Sequence, residues 1–554
     1  MRGRNVFMQS LVAHGVEHMF GNPGTTESPL IDSLADYPQI NYVVALHEGV
    51  ALGAASFYAQ ATGKTAIVNL HVAPGLGNAL GMLYGALKAN SPMIVTAGQQ
   101  DTRMRLRDPL LGHDLAAMAA PVTKWSVQVE RADELGPILR RAFKVANDPP
   151  CGPVFVALPI DVMEQETDVP PAAPDRLYRA ARPDPEGVAE ATRLILAARR
   201  PVMVLGDDIG RGGAAEAAVK LAERIGAAVW VEGLRHHASF PTAHRAFRGA
   251  LPFDAAAIRT ALDGVDLVLL AGGPFFEEVW FAPGSAIPEG AKVVQVEAAY
   301  PRLGYNFPLD AGLIGDPLAA LKALQEVVAG TASADYAAGA TARLAALDDL
   351  KQTEAAAQAA RVKKSWDRTP MSMARAMAEI RAATPGDAVL VEETITANQD
   401  LARSFDFARP GDYLSGRGGG IGQGLAGAIG AKVANPHRPV LAISGDGSAM
   451  YSIQALWSAA HHDLAIVFVI LANREYRVLK HNLDIYRQRF GVLSNKPYAH
   501  MDLGNPDLGF VEMAQGMGVA ATRVTRGEAL RGAVEAAFKS GKPHLIEALI
   551  EGKR

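Results

Sequence analysis

The chain has 554 residues, too many for one hydrophobic core, so about three domains of ordinary size are expected. Its 49% hydrophobic and 20% charged residues describe a globular protein, and its longest apolar runs, such as 465–472, fall far short of the roughly 20 residues that span a bilayer. A net charge of −4 gives no electrostatic reason to expect nucleic acid or an anionic membrane as partner, and the lone Cys151 excludes an intrachain disulfide framework and any multi-cysteine metal site. Met1-Arg-Gly-Arg-Asn-Val-Phe-Met8 lacks the long apolar segment and small-residue cleavage site of a secretory signal, so a cytoplasmic location is the default expectation.

Strand-like apolar runs alternate with helix-like Ala/Leu/Arg segments from one end to the other, the pattern of α/β domains built on doubly wound parallel sheets. Near the start, Phe20-Gly-Asn-Pro-Gly-Thr-Thr26 reads as a turn after an early strand. Leu46-His47-Glu48-Gly49-Val50 opens a helix of small residues that ends before Thr62-Gly63; a lone carboxylate there is ordinarily a partner of the helix dipole. Strands follow at 66–70, 93–96 and 154–158, and His71 closes the first of them ahead of a glycine-rich turn through Gly75 and Gly77. Taken alone, such a histidine is more often structural than catalytic. The Pro-rich, charged stretch 166–185 reads as a linker.

A second group of strands, at 201–205, 265–270 and 292–296, fades into an Ala-rich segment from about 330 to 365, read as a partly helical linker. The third group begins near Pro370, with strands at 388–391, 439–444, 465–472 and 543–549 and a helix at 452–460. No short-period repeat is visible. Within the third group, Gly422, Gly424 and Gly427 satisfy the dinucleotide pattern G-x-G-x-x-G, with Asp446 about where a ribose-binding acid would stand, so a Rossmann dehydrogenase is a legitimate rival. Only a short strand candidate, around Tyr413-Leu414, precedes those glycines; the competing explanation is a glycine-rich loop passing close to a flat cofactor ring.

Gly445-Asp446-Gly447-Ser448 ends one buried strand, and Asn473 ends the next. A right-handed crossover brings both strand ends to one sheet edge, where Asp446 and Asn473 can meet as oxygen ligands of Mg²⁺ while the glycines let backbone amides approach phosphate. A lone GDGS is usually just a turn; the asparagine at the next strand end makes the pair specific for a metal-held diphosphate.

With Asn22-Pro-Gly-Thr25, Glu48, His71, Gly98-Gln-Gln100, the Gly418–Gly422 loop and the Asp446/Asn473 pair, the chain resembles the thiamine-diphosphate-dependent enzymes over essentially its whole length. Within them it looks most like the benzoylformate decarboxylases, through Phe20-Gly-Asn-Pro-Gly, Asn69-Leu-His71, Ile94-Val-Thr-Ala-Gly-Gln-Gln100 and Phe240-Pro-Thr-x-His-x-x-Phe-Arg-Gly249. The resemblance implies a pyrimidine-binding domain at 1–165, a central Rossmann-like domain at 186–330 and a diphosphate- and Mg²⁺-binding domain at 370–554, in a homodimer or homotetramer with active sites between subunits. It implies no flavin.

The resemblance also implies roles. Glu48 hydrogen-bonds the aminopyrimidine so that the thiazolium C2 proton can be removed. Pro23 and Gly24 line the cofactor, the Gly419 carbonyl holds its exocyclic amine, and Ile421 wedges it into a V shape. Asp446, Asn473 and the Glu475 carbonyl bind the metal, while Thr394, Ile395, Gly447, Ser448 and Tyr476 face the diphosphate; Ile395 stands where the family has a hydroxyl, leaving one contact to backbone. Thr25 and His71 meet the substrate carboxylate and relay protons.

Two departures concern the substrate. The family's second catalytic histidine aligns near Val279, where there is none, and Tyr476-Arg-Val-Leu-Lys-His481-Asn482 puts polar residues where the decarboxylases have aromatic ones. Val478 and Leu479 still offer an apolar wall; His481 or Asn482 either contacts a polar substrate or replaces the missing proton donor, or both face solvent. The leading expectation is a lyase that decarboxylates a benzoylformate-like 2-oxo acid to an aldehyde and CO₂, with carboligation as a side activity. Alternatives are an acetolactate-synthase-like carboligase or 2-hydroxyacyl-CoA lyase, and a non-catalytic subunit of the same fold.

Overall fold

The computed structural model describes residues 1–552 and divides into two compact units. One contains residues 1–176, 365–404 and the chain from 414 onward; the other contains 177–364 and 405–413.

The first unit opens with strands β1 (His18–Gly21), β2 (Asn41–Val44), β3 (Ala66–Leu70), β4 (Met93–Gln99), β5 (Trp125–Gln128) and β6 (Pro153–Pro159). They pair in parallel in the order β2-β1-β3-β4-β6-β5. Every residue of β3, β4 and β6 is buried, which is why these strands read as unbroken apolar runs: helices cover both faces of the sheet. Helix α1 (Glu48–Thr62) stops at Gly63, whose φ of +67° is the left-handed cap that glycine supplies without strain. Helix α2 (Val72–Lys88) starts directly after His71, so Gly75 and Gly77 lie in its first turns and not in the expected loop.

The second unit holds β7 (Pro201–Leu205), β8 (Ala228–Val231), β9 (Phe247–Ala250), β10 (Leu267–Ala271), β11 (Lys292–Glu297) and β12 (Ala311–Ile314), parallel in the order β12-β11-β10-β7-β8-β9. The order reverses between β7 and β10, where ligands usually enter such a sheet. Here the loops after those strands close on each other, the Asp208 amide donating to the Gly272 carbonyl at 3.1 Å. The Ala-rich segment expected as a partly helical linker is one helix of 31 residues, α3 (Ala334–Lys364). It buries Ala340 and Leu344, and Arg343 donates to the Ile225 carbonyl at 2.8 Å, so the segment packs as part of this unit. High alanine content favoured the helix, and a buried face fixed it.

The chain then returns to the first unit with β13 (Val389–Glu393), β14 (Tyr413–Ser415), β15 (Val440–Gly445), β16 (Ile466–Ala472), β17 (Ala520–Val524) and β18 (His544–Leu549), in the order β14-β13-β15-β16-β18-β17. That is the order of the first sheet repeated. Between its strands run α4 (Gln423–Ala434), α5 (Asp446–Ala449), α6 (Ala455–His461) and α7 (Arg477–Arg489). One hydrophobic core joins the two sheets, from Phe20, Val68 and Phe155 to Val391, Ile443's neighbour Ala442 and Phe468. At its centre α1 crosses α4 so closely that a Cβ at Gly427 would lie 2.6 Å from the Phe57 ring, and one at Gly430 would overlap the Ala54 carbonyl. Burying a ring such as Phe57 contributes roughly 1.5–3 kcal/mol, and a bulky residue at Gly430 would force the helices apart. No helix among the described residues is long and apolar enough to cross a membrane.

Candidate active site

In the first sheet the strand order reverses between β1 and β3, and the chemistry-bearing residues follow these two strands. After β1, Pro23 and Thr25 are exposed, and Thr25 opens a short turn that buries Thr26 and Glu27. Glu27 is an unforeseen member of the site. Its Oε1 accepts the Gly98 amide and the Thr26 hydroxyl, each at 2.8 Å, and its Oε2 lies 2.9 Å from His71 Nδ1. The side chain of Glu27 is 1% exposed and that of His71 25% exposed, so a buried carboxylate holds one ring nitrogen and leaves Nε2 as the ring's other proton site. A Cβ on Gly24 would overlap the His71 ring, so only glycine allows this approach. Glu48 begins α1, behind His47, whose Nδ1 accepts the Gly49 amide at 3.0 Å. Glu48 is buried, and its Oε2 accepts from Asn78 Nδ2 at 3.0 Å.

In the third sheet the reversal falls between β13 and β15, and Thr394, Ile395 and Asp446 follow those strands, with Asn473 after β16. Asp446 is buried in the first turn of α5, accepting the Gly447 amide at 2.9 Å and the Arg474 amide at 2.6 Å. Burial pushes its carboxyl up to about 6, against the backbone hydrogen bonds it accepts. Asn473 Oδ1 accepts the Glu475 amide at 2.9 Å. The Tyr476 ring lies where a Cβ of Gly447 would have to go, so only glycine allows this packing, and Ser448 is buried in the same turn. Burial, together with the charges of Tyr451 and Asp446, raises the Tyr476 hydroxyl above the ordinary phenol range. Thr394 is buried with its hydroxyl donating to Glu392 at 2.5 Å, while Ile395 is 50% exposed, unusual for an aliphatic side chain at a strand end. Among the described residues no cluster of three or more His, Cys, Asp or Glu side chains could hold a metal. The turn offers instead the oxygens of one carboxylate, Asp446, and one amide, Asn473, the donor type that a hard divalent cation prefers.

The Gly418–Gly422 loop adopts positive φ at Gly418 (81°), Gly419 (73°) and Gly422 (96°), values that exclude most side chains. Gly419 is exposed and Ile421 half-buried. The loop is tied at Gln423, whose Nε2 donates to the carbonyls of Arg417 and Gly420 at 2.8 and 2.7 Å. The amides that a dinucleotide diphosphate would need at the start of α4 are taken: Gly422, Gln423 and Gly424 donate at 2.7, 2.9 and 3.0 Å to the buried carboxylate of Glu393. The G-x-G-x-x-G match is therefore a capped helix start packed against α1, not a nucleotide cradle.

Beyond the metal-type turn, α7 carries Val478, half-buried, Leu479, 44% exposed, His481, exposed, and Asn482, half-buried. Between them Lys480 is buried, which the run of polar residues did not reveal. In the second unit Val279 is 61% exposed at the position of the expected second histidine.

Three family models match the chain: the N-terminal TPP binding domain of thiamine pyrophosphate enzymes over residues 1–118, their central domain over 188–324, and their C-terminal TPP binding domain over 395–548. A benzoylformate decarboxylase of Pseudomonas aeruginosa is 36% identical, the match covering 96% of each chain. An acetolactate synthase of Mycobacterium bovis is 29% identical over 95% of this chain and 84% of its own. Among solved structures, the thiamine diphosphate-dependent 4-hydroxybenzoylformate decarboxylase of Rhodococcus jostii RHA1 superposes with a TM-score of 0.85 at 29% identity, covering 100% of both chains. With two sheets of one topology carrying a buried Glu48 and a buried Asp446 turn, and with these relatives along its full length, the chain belongs to the thiamine-diphosphate-dependent enzymes, in the benzoylformate decarboxylase and acetolactate synthase family.

Proposed function

We propose that this enzyme is a lyase that decarboxylates a benzoylformate-like 2-oxo acid to an aldehyde and CO₂, with carboligation to a second aldehyde as a side activity. The observation that carries the reading is His71 held at Nδ1 by the buried Glu27, which orients the ring and keeps Nε2 for a substrate proton. Thiamine diphosphate, when bound, supplies the electron sink that such a decarboxylation requires and that side chains lack. The residues present fit it. Glu48 would hold the aminopyrimidine, with Pro23 and Gly24 beside it; the Gly419 carbonyl and Ile421 would bear on the same ring. Asp446, Asn473 and the Glu475 carbonyl would bind Mg²⁺. Gly447, Ser448, Tyr476, Thr394 and the backbone of Ile395 would face the diphosphate. Thr25 and His71 would bind the substrate carboxylate and move protons, and Val478 and Leu479 would wall the pocket beside His481 and Asn482.

Incubation of the purified protein with benzoylformate and other 2-oxo acids, scored by CO₂ and aldehyde, tests the activity; no turnover of any of them sinks it. Glu48→Gln should still bind cofactor while C2 proton exchange slows by about 10²–10⁴-fold, and native exchange in that variant would refute the role given to Glu48. A second reading, an acetolactate-synthase-like carboligase or 2-hydroxyacyl-CoA lyase, draws on Val279 in place of a histidine and on polar His481 and Asn482. Product analysis with pyruvate, or with an acyl-CoA plus an aldehyde, separates it. A non-catalytic subunit would be revived by calorimetry showing no cofactor affinity; the retained Glu48 argues against it.

The assembly we expect is a homodimer or homotetramer with active sites between subunits, checked by sedimentation of the holoenzyme. We expect no flavin in the second unit, where the loops after β7 and β10 are joined and Asp208 is shared by Arg211 and Arg302 at 2.5 and 3.2 Å. A yellow purified protein would contradict this.

A further inference from the structure

Resting on the cofactor reading above, we infer that Lys480 is a positioning residue for the divalent cation, acting through Glu475. The backbone between Asn473 and Tyr476 is sharply bent. Arg474 sits at φ +59°, a left-handed conformation that a non-glycine residue adopts at a cost, and its amide donates to Asp446. A bend of this kind keeps its shape only if its surroundings hold it.

The holding group is a buried charge cluster. The Glu475 carboxylate, with its side chain 1% exposed, accepts from Arg477 Nε at 2.9 Å and from Lys480 Nζ at 2.5 Å. Lys480, itself 5% exposed, donates its second bond to Asp502 at 2.7 Å. Asp502 belongs to the segment that clamps the bend from the other side: Tyr476 donates to the Met501 carbonyl, and Leu503 to the Arg474 carbonyl, both at 2.8 Å. Arg477 reaches further, to the Glu551 carbonyl. Lys480 thus ties the two strands of the clamp through side chains where the backbone already joins them.

The cluster differs from an incidental ion pair in its burial and in its place on the helix. Buried ions cost more to desolvate than apolar residues of the same size, so such a pair is a poor way to gain stability alone. Arg477 and Lys480 also stand at the start of α7, which has no acidic residue in its first turn, and cations there oppose the helix dipole. Both costs are met by the Glu475 carboxylate. Both bonds of Lys480 go to carboxylates, those of Glu475 and Asp502.

The test is Mg²⁺ titration of the full-length protein with saturating thiamine diphosphate, followed by intrinsic fluorescence, alongside the thermal midpoint of the apoprotein. Lys480→Met should weaken Mg²⁺ binding by roughly 10–100-fold, the usual loss for a group supporting a metal ligand, and Lys480→Arg should restore most of it. A purely structural role would lower the apoprotein midpoint and leave Mg²⁺ affinity within twofold of native, which overturns the inference. If Lys480→Met does not fold, Asp502→Asn, whose side chain is 59% exposed, replaces it; a loss of about threefold supports the inference and no loss overturns it. Native protein that binds neither Mg²⁺ nor thiamine diphosphate sinks the cofactor reading itself, a result distinct from native binding with unaffected variants.

Discussion

The first and third sheets of this enzyme have the same strand order and reverse it at the same place, yet their carboxyl edges carry different chemistry. After β1 and β3 stand titratable side chains, Glu27 and His71, with Glu48 on the neighbouring helix. After β13 and β15 stand backbone amides, an amide side chain and one buried carboxylate, Asp446. A parallel sheet offers the same crevice wherever its order reverses, and the residues in the following turns decide what it can hold. Both crevices depend on a glycine pressed against a ring: Gly24 against His71, Gly447 against Tyr476.

If the two edges divide the work in this way, equivalent damage should give unlike defects. The largest effect is expected at Asp446, where Asp446→Ala should weaken Mg²⁺-dependent cofactor binding more than about 100-fold by calorimetry. Affinity within tenfold of native would remove Asp446 from the ligand set. Gly24→Ala drives a methyl into the His71 ring and should cost about 100-fold in kcat with cofactor affinity kept, since small displacements of a catalytic group are expensive. Gly447→Ala should do the opposite, costing about tenfold in cofactor affinity while turnover at saturation is largely retained. If both glycine variants lose the same parameter, the division of labour is wrong.

The last effect concerns the cap on α4. Burial raises the Glu393 carboxyl from its ordinary 4.5 to about 7, overcoming the bonds it accepts from Gly424, Gln423 and Gly422. The folded state then holds a proton that the unfolded state has lost between those values, so this group's contribution is most favourable below pH 4.5 and declines as pH rises through about 7. Glu393→Gln should flatten the fall of folding stability across that range, followed by denaturant unfolding at each pH, by an amount on the order of 1–3 kcal/mol. Glu297, raised to about 7 by burial and by Asp208, contributes in the same direction and keeps some slope in the variant. An unchanged profile would show that Glu393 stays ionised on its three amides.

Strands that are buried on both sides were legible because their apolar runs are continuous, as at β3, β15 and β16. The short, half-exposed β5 and the edge strand β2 carry no such run and went unread. The Ala-rich segment had the composition of a helix, but its attachment to the second unit rests on the contacts of Ala340 and Arg343. The duplicated strand order was not read from the sequence, because topology is set by which edge each strand joins and many apolar residues satisfy the same position.

Sequence alone pointed to the cofactor class, through a family resemblance carried by glycines, Asp446, Asn473 and Glu48, which stand in turns and at helix starts that a few adjacent residues specify. It could not supply their supports. Glu27 reaches His71 and Gly98, Glu393 caps a helix that begins at Gln423, and Lys480 joins Glu475 to Asp502. Each pairing closes across a stretch of chain whose path depends on sheet packing, and a buried charge declares its partner only when folding has removed the water around it.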